Sequence, residues 1–132
     1  MNIIICLDDK NGIQFNKRRQ SRDSVLCDRI LEITKGSVLW MNAYSSKMFS
    51  SDKIKVNEAY LSESSRGDFC FVEDNSFLDY SDQFEKVIIY RWNRLYPSDV
   101  QVDISFLKSK HRICTTDFKG RSHEKITEEI YE

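Results

Sequence analysis

The stretch Asn2-Ile3-Ile4-Ile5-Cys6-Leu7 constrains this chain more than any other. A strand with one wet face alternates apolar and polar residues. Here the apolar residues run on without a break, so both faces must be covered. Strands of that kind lie inside parallel sheets flanked by helices, and this one is expected at the centre of its sheet. Residues 37–41, 68–72 and 86–91 read the same way. Between the first two, Val25, Leu26, Ile30 and Ile33 recur at helical spacing, with Asp28, Arg29 and Glu32 outside and Cys27 and Leu31 widening the apolar stripe. Ser21 or Asp23 can cap this helix and Gly36 can end it. Strands alternating with helices predict a mostly parallel α/β sheet in three layers.

The C-terminal part follows another pattern. Val100-Gln101-Val102-Asp103-Ile104 alternates, which predicts a half-exposed strand or a sheet edge. Residues 112–117 and 124–131 predict an antiparallel hairpin joined through Lys119-Gly120-Arg121-Ser122. Asp8-Asp9-Lys10-Asn11-Gly12 is a turn in which Asn-Gly supplies positive φ, and Ile13 and Phe15 follow in a short extended piece. Residues 54–56 predict a short strand, residues 57–62 a helical turn, and residues 50–67 as a whole a polar surface connection. Phe77, Leu78, Tyr80 and Phe84 cover one side of a loop or short helix, and residues 106–110 are irregular. With no repeat and no low-complexity segment, residues 1–132 are expected to form one compact domain.

Apolar residues make up 40% of the chain and aromatic ones 12%, enough to fill a core. A net charge of −1 exerts no overall pull on nucleic acid or anionic membrane, so any electrostatic recognition must be local. The first apolar run is too short for a membrane span or signal peptide and follows no basic segment, which implies a cytoplasmic protein without a membrane partner. Cys6, Cys27, Cys70 and Cys114 are widely spaced, and His111 and His123 complete no zinc spacing. The cysteines are expected as reduced, buried thiols, and neither a metal nor a cofactor is expected.

Two local patches carry the candidate contacts. In Asn16-Lys17-Arg18-Arg19-Gln20-Ser21-Arg22-Asp23, four cations fall in six positions, and guanidinium groups match phosphate and carboxylate geometry. After the second apolar strand, Asn42 opens a short helix through Ala43, Tyr44 and Ser45, and a helix N-terminus at that place suits an anion. If the parallel strands end along one edge, Arg18, Arg19, Arg22, Asn42, Tyr44 and Ser45 meet there, beside Asp8, Asp9, Glu73 and Asp74. The expected ligand is a small anion or a nucleotide.

The second patch is the end of the stretch 85–99, where Arg91, Trp92, Arg94 and Tyr96 precede Pro97. Arginine beside aromatic rings stacks on bases or on a partner's side chains, and is typical of protein interfaces. His123-Glu124 reads as an exposed pair near the hairpin, with a base–carboxylate pair as the alternative. Ser45, Ser46 and Cys27 have no identifiable histidine to activate them, so no catalytic residue is assigned.

The order of elements resembles the dihydrofolate reductase fold. Ile4 to Ile13 is similar to that family's first strand and Asn-Gly turn, and residues 36–45 to its strand followed by Gly-Arg-Lys/Arg-Thr. Residues 68–73 match the strand before its Gly-Gly pair, residues 87–91 and 98–102 a later strand and the Asp-Thr-Phe-Phe-Pro region, and residues 129–131 its last strand. The resemblance implies hydride transfer from NADPH, but the motifs depart from it. Val72-Glu73 replaces the Gly-Gly that admits the cofactor, and Asn42-Ala43-Tyr44-Ser45 replaces the phosphate-binding helix start. The substrate carboxylate falls on apolar Val25 to Cys27, Lys17-Arg18-Arg19-Gln20 replaces a tryptophan-containing loop, and residues 50–67 are shorter than their counterpart. The expected protein is therefore a non-catalytic binding or regulatory module, its partner an unknown protein or small anionic ligand. An enzyme of altered chemistry on a nucleotide or small anion in the old cleft is the alternative.

The strings Asn16 to Asp23, Tyr90 to Pro97 and Ser122 to Thr127 also resemble a family of short bacterial proteins often labelled ribonuclease Z. That label implies an RNA partner. The chemistry behind it needs a His-x-His-x-Asp-His cluster around two zinc ions, which this chain lacks.

Overall fold

A computed structural model describes residues 1–132. In chain order the strands and helices are β1 (Asn2–Leu7), β2 (Gly12–Phe15), β3 (Arg18–Arg19), α1 (Ser24–Ile33), β4 (Leu39–Met41), α2 (Ala43–Ser46), β5 (Ile54–Val56), α3 (Tyr60–Glu63), β6 (Phe69–Phe71), β7 (Val87–Arg91), β8 (Val100–Gln101), β9 (Arg112–Phe118) and β10 (Ile126–Tyr131). Two 3₁₀ helices, Asn75–Gln83 and Ile104–Ser109, flank β7 and β8 in sequence. No helix is long and apolar enough to cross a membrane.

Seven strands form the main sheet in the order β5-β4-β6-β1-β7-β10-β9. β1 occupies the middle and runs parallel to both neighbours, Ile3 facing Cys70 of β6 and Val87 of β7. This explains its unbroken apolar sequence. Ile3, Ile5 and Leu7 enter one core with Val72, Phe77, Phe84 and Val87, while Ile4 enters the other with Leu26, Ile30, Phe71 and Tyr90. The C-terminal hairpin is antiparallel as expected, β10 pairing with both β7 and β9. Helix α1 is locked to β10 by a buried carboxylate: Arg29 donates to both oxygens of Glu128 at 2.8 Å, and the Tyr90 hydroxyl donates to Oε2 at 2.8 Å.

Several local expectations are corrected. Residues 100–104 do not form one strand. Only Val100 and Gln101 are extended, and they pair with β2 in a separate sheet of order β3-β2-β8. Asp103 then accepts from the Ser105 N–H at 2.9 Å and starts a 3₁₀ helix. Val25 faces solvent, because its place on the first turn of α1 turns it away from the sheet. Cys27 and Cys70 are buried, but Cys114 is exposed on β9, the outermost strand of the sheet.

The second sheet positions the basic loop. Asn16 and Lys17 have φ of 52° and 61°, which turns β2 back into β3 as a two-residue hairpin and lays Arg18 and Arg19 beside the ends of the parallel strands. Asp8 pins this arrangement. It accepts from the Lys10 and Gly12 N–H groups at 2.9 and 2.7 Å, from Gln20 Nε2 at 2.9 Å and from the Tyr96 N–H at 3.3 Å. Burial pushes this carboxyl up, but the surrounding donors outweigh it and hold it below the usual carboxylate range. A side chain at Gly12 would meet Asp8, Gln20 and Ser98, so the close approach requires glycine.

Candidate functional site

Glu73 follows β6 and projects into the edge where the basic loop and α2 meet. Arg19 grips it with two bonds, Nε to Oε2 at 2.8 Å and Nη2 to Oε1 at 2.9 Å, and Ser45 Oγ donates to Oε1 at 2.7 Å. Tyr44 completes the set: its hydroxyl accepts from the Arg19 N–H at 3.2 Å, its carbonyl from Nη2 at 3.3 Å, and its ring lies 4.2 Å from the guanidinium carbon. Asn42 acts one step back, its Oδ1 capping α2 by accepting from the Ser45 N–H at 2.8 Å. Arg19, Tyr44 and Ser45 thus do surround a carboxylate, and it is the chain's own.

The space beneath is small. A cavity of about 20 Å³ remains among Cys6, Leu26, Cys27, Ile30, Met48 and Phe71, enough for one water-sized group. Burial pushes the Cys27 thiol up to about 11 and raises Cys6 as well, so neither is a ready nucleophile. Arg18 and Arg22 stay outside on the exposed rim. Lys17, Arg18, Arg22 and Arg94 take part in none of the ion pairs of the structure. Of these, Arg18 lines an open depression with Phe15, Asn16, Tyr96 and Pro97.

The 85–99 stretch is divided between core and surface. Arg91 is held by Glu129 Oε1 at 3.1 Å and Asn11 Oδ1 at 2.6 Å. Trp92 is only 4% exposed. Its ring stacks on the His123 imidazole with centroids 4.6 Å apart. Arg94 and Leu95 face solvent, and Tyr96 is half-buried. Arg91 and Trp92 therefore build the fold around the patch, and Arg94 with Leu95 forms its outer surface.

His123 corrects the expectation of an exposed pair. It is buried, whereas Glu124 is exposed. Its Nδ1 lies 2.8 Å from Asp23 Oδ2, and its Nε2 lies 3.0 Å from Ser21 Oγ and 2.9 Å from the Tyr96 hydroxyl. Asp23 also caps α1, accepting from the Val25 and Leu26 N–H groups, and receives the Arg121 and Ser122 N–H groups at 2.9 Å each. Burial raises this carboxyl, but the Arg121 N–H, the imidazole and the remaining donors outweigh it and hold it far below the ordinary value. An ionised carboxylate can only accept. A neutral imidazole held against it carries its proton on Nδ1 and offers the Nε2 lone pair to Ser21 or Tyr96. Gly120 allows this approach: a Cβ there would lie 2.5 Å from Asp23 Oδ2. The sequence signal for the cluster is the three strings 16–23, 90–97 and 122–127, which are far apart in the chain and meet here.

No group of three or more His, Cys, Asp or Glu side chains gathers to hold a metal ion. No protein-family model matches the sequence, and no curated protein matches it. Among solved structures, the dihydrofolate reductase of Enterococcus faecalis, solved with NADP(H) and RAB-propyl, is similar to it. The TM-score is 0.69 at 8% identity, over 99% of this chain and 94% of the other. Glu73 stands past the end of β6, paired with Arg19, and Glu58 Oε2 accepts from the Ala43 N–H at 2.9 Å, so two carboxylates lie at this edge. The chain has the dihydrofolate reductase fold.

Proposed function

We propose that this chain is a binding module on a dihydrofolate reductase scaffold, with the reductase cleft closed by its own side chains. One observation carries the reading: Glu73 sits in the mouth of the cleft, tied to Arg19 and Ser45 at 2.7–2.9 Å. An anion entering there must displace a carboxylate already paired in both oxygens. The partner is an acidic protein segment. Lys17, Arg18, Arg22 and Arg94 supply exposed charge that stands outside the ion pairs of the structure, and exposed Phe15, Tyr44 and Leu95 supply apolar contact.

The test combines thermal unfolding with titration. NADPH and a folate analogue are expected to leave the melting temperature unchanged, because neither binds the folded state. A fluorescent peptide rich in Asp and Glu with one aromatic residue is expected to bind, and to lose at least about tenfold affinity in Arg18→Glu/Arg94→Glu. Stabilisation by NADPH refutes the closed cleft. A short structured RNA that binds where the peptide does not makes nucleic acid the partner instead.

A further inference from the structure

We propose that Ser21 is a nucleophile, activated by His123 and oriented through Asp23, that takes the acyl group of a small carboxylic ester or thioester bearing a negative charge. The proposal goes beyond the binding reading and stands without it, because it concerns the serine and not the closed mouth of the cleft. It departs from the expectation of a non-catalytic module, in which His123-Glu124 reads as an exposed pair.

The geometry is that of an activated hydroxyl: nucleophile and base within hydrogen-bond reach, and the base fixed by a third group. Ser21 Oγ is 3.0 Å from His123 Nε2, a nitrogen it shares with the Tyr96 hydroxyl at 2.9 Å, and His123 Nδ1 is 2.8 Å from Asp23 Oδ2. The base cannot turn away. Trp92 stacks on its ring, and the Ser122 hydroxyl lies 3.3 Å from Nδ1. Ser21 itself is partly exposed and borders the water-sized cavity. The backbone N–H groups of Ser21 and Arg22 make no hydrogen bond within the protein, and an oxyanion at Ser21 needs donors of this kind. The exposed cations Arg18 and Arg22 on the same loop favour the negatively charged acyl or leaving group.

In the first half-reaction Oγ bonds to the carbonyl carbon and its proton passes to Nε2. The bond to the leaving oxygen or sulfur breaks, and that atom takes the proton from Nε2. In the second, a water gives its proton to Nε2 and bonds to the carbonyl carbon. The bond to Oγ then breaks and Oγ recovers the proton. The sum is ester plus water to acid plus alcohol or thiol, with no oxidant or metal required.

A biotinylated fluorophosphonate, which phosphonylates activated serines, tests this on the purified full chain, with the modified residue mapped by mass spectrometry. The label is expected on Ser21, absent from that site in Ser21→Ala, and about 100-fold slower in His123→Gln. With p-nitrophenyl acetate, a burst of nitrophenolate and an acetyl group on Ser21 are expected. A folded wild-type chain that takes neither label at Ser21 overturns the proposal, whether or not the His123 variant folds. So does labelling of Ser21 at the wild-type rate in a folded His123→Gln.

Discussion

His123 and Asp23 lie 100 residues apart in the chain and are joined by a 2.8 Å bond between Nδ1 and Oδ2. Both side chains are almost wholly removed from solvent. The bond ties the first turn of α1 to the connection between β9 and β10. The same carboxylate caps the helix and holds the loop, so its loss strands a histidine and several backbone donors at once.

Asp23→Ala is therefore expected to cost about 2–5 kcal/mol, because it leaves a buried imidazole and several backbone N–H groups without their acceptor, at about 1–3 kcal/mol for each buried unpaired group. Asp23→Asn keeps an acceptor for the helix cap and is expected to cost less. Urea unfolding followed by circular dichroism measures both. A loss below about 1 kcal/mol for the alanine variant, the size of an exposed pair, would mean that the pair is not buried in solution.

Acid should unfold the protein by a route that the same carboxylate dominates. Asp8, Asp23 and Glu128 are all held below their ordinary values in the folded state. Their contribution is fully present above the unfolded carboxylate values of about 4, and is lost as the pH falls below them, because the unfolded chain then takes up protons that the folded chain refuses. The urea midpoint is expected to be level from pH 7 to about 5 and to fall steeply by pH 3. Asp23→Asn should flatten that fall, and an equally steep profile in the variant would remove Asp23 from the explanation.

Removing the carboxylate in the cleft should expose the anion site that Glu73 fills. Glu73→Ala is expected to lose about 2 kcal/mol, less than a fully buried pair because Arg19 retains Tyr44. Phosphate at tenfold its Kd should then restore about 1.4 kcal/mol in the variant and nothing in the wild type. Differential scanning calorimetry with and without phosphate reads the difference. Equal response of the two proteins would show that Arg19 and Ser45 do not form the site.

Thiol reactivity should separate Cys114 from Cys27 and Cys70. Cys114 is exposed and is expected to react with a coloured disulfide reagent in the native protein at the rate of a free thiol. Cys27 and Cys70 are buried, and burial raises both thiols. They are expected to react only on unfolding, at least about 100-fold more slowly. Fast reaction of Cys27 would indicate that the cavity beneath Arg19 opens readily.

Much of the fold was legible because both faces of the sheet left marks in the sequence. Ile3-Ile4-Ile5 could be assigned to a central parallel strand since successive residues must enter opposite cores, and they do. Asn42 starts its helix for a local reason, a side-chain cap, whereas α1 ends at Ile33 with Thr34 as its cap, and Gly36 turns the chain two residues later with a φ of 84°. The weaker expectations concerned segments whose placement depends on distant partners. Val102 alternates with polar neighbours but is buried outside any strand, and Val25 fits the helical spacing yet faces solvent.

Periodicity, caps and turn residues act over a few positions, and they specify the layered sheet, the antiparallel end and the gathering of Arg19, Tyr44 and Ser45 at one edge. What those groups do there is set by contacts between distant segments. Whether Arg19 is free or paired depends on Glu73, 54 residues away, and whether His123 is a surface group or a buried base depends on Asp23 and Trp92. A side chain's charge is written in the sequence, but its solvation and its hydrogen-bond partner are set by which distant segments close over it.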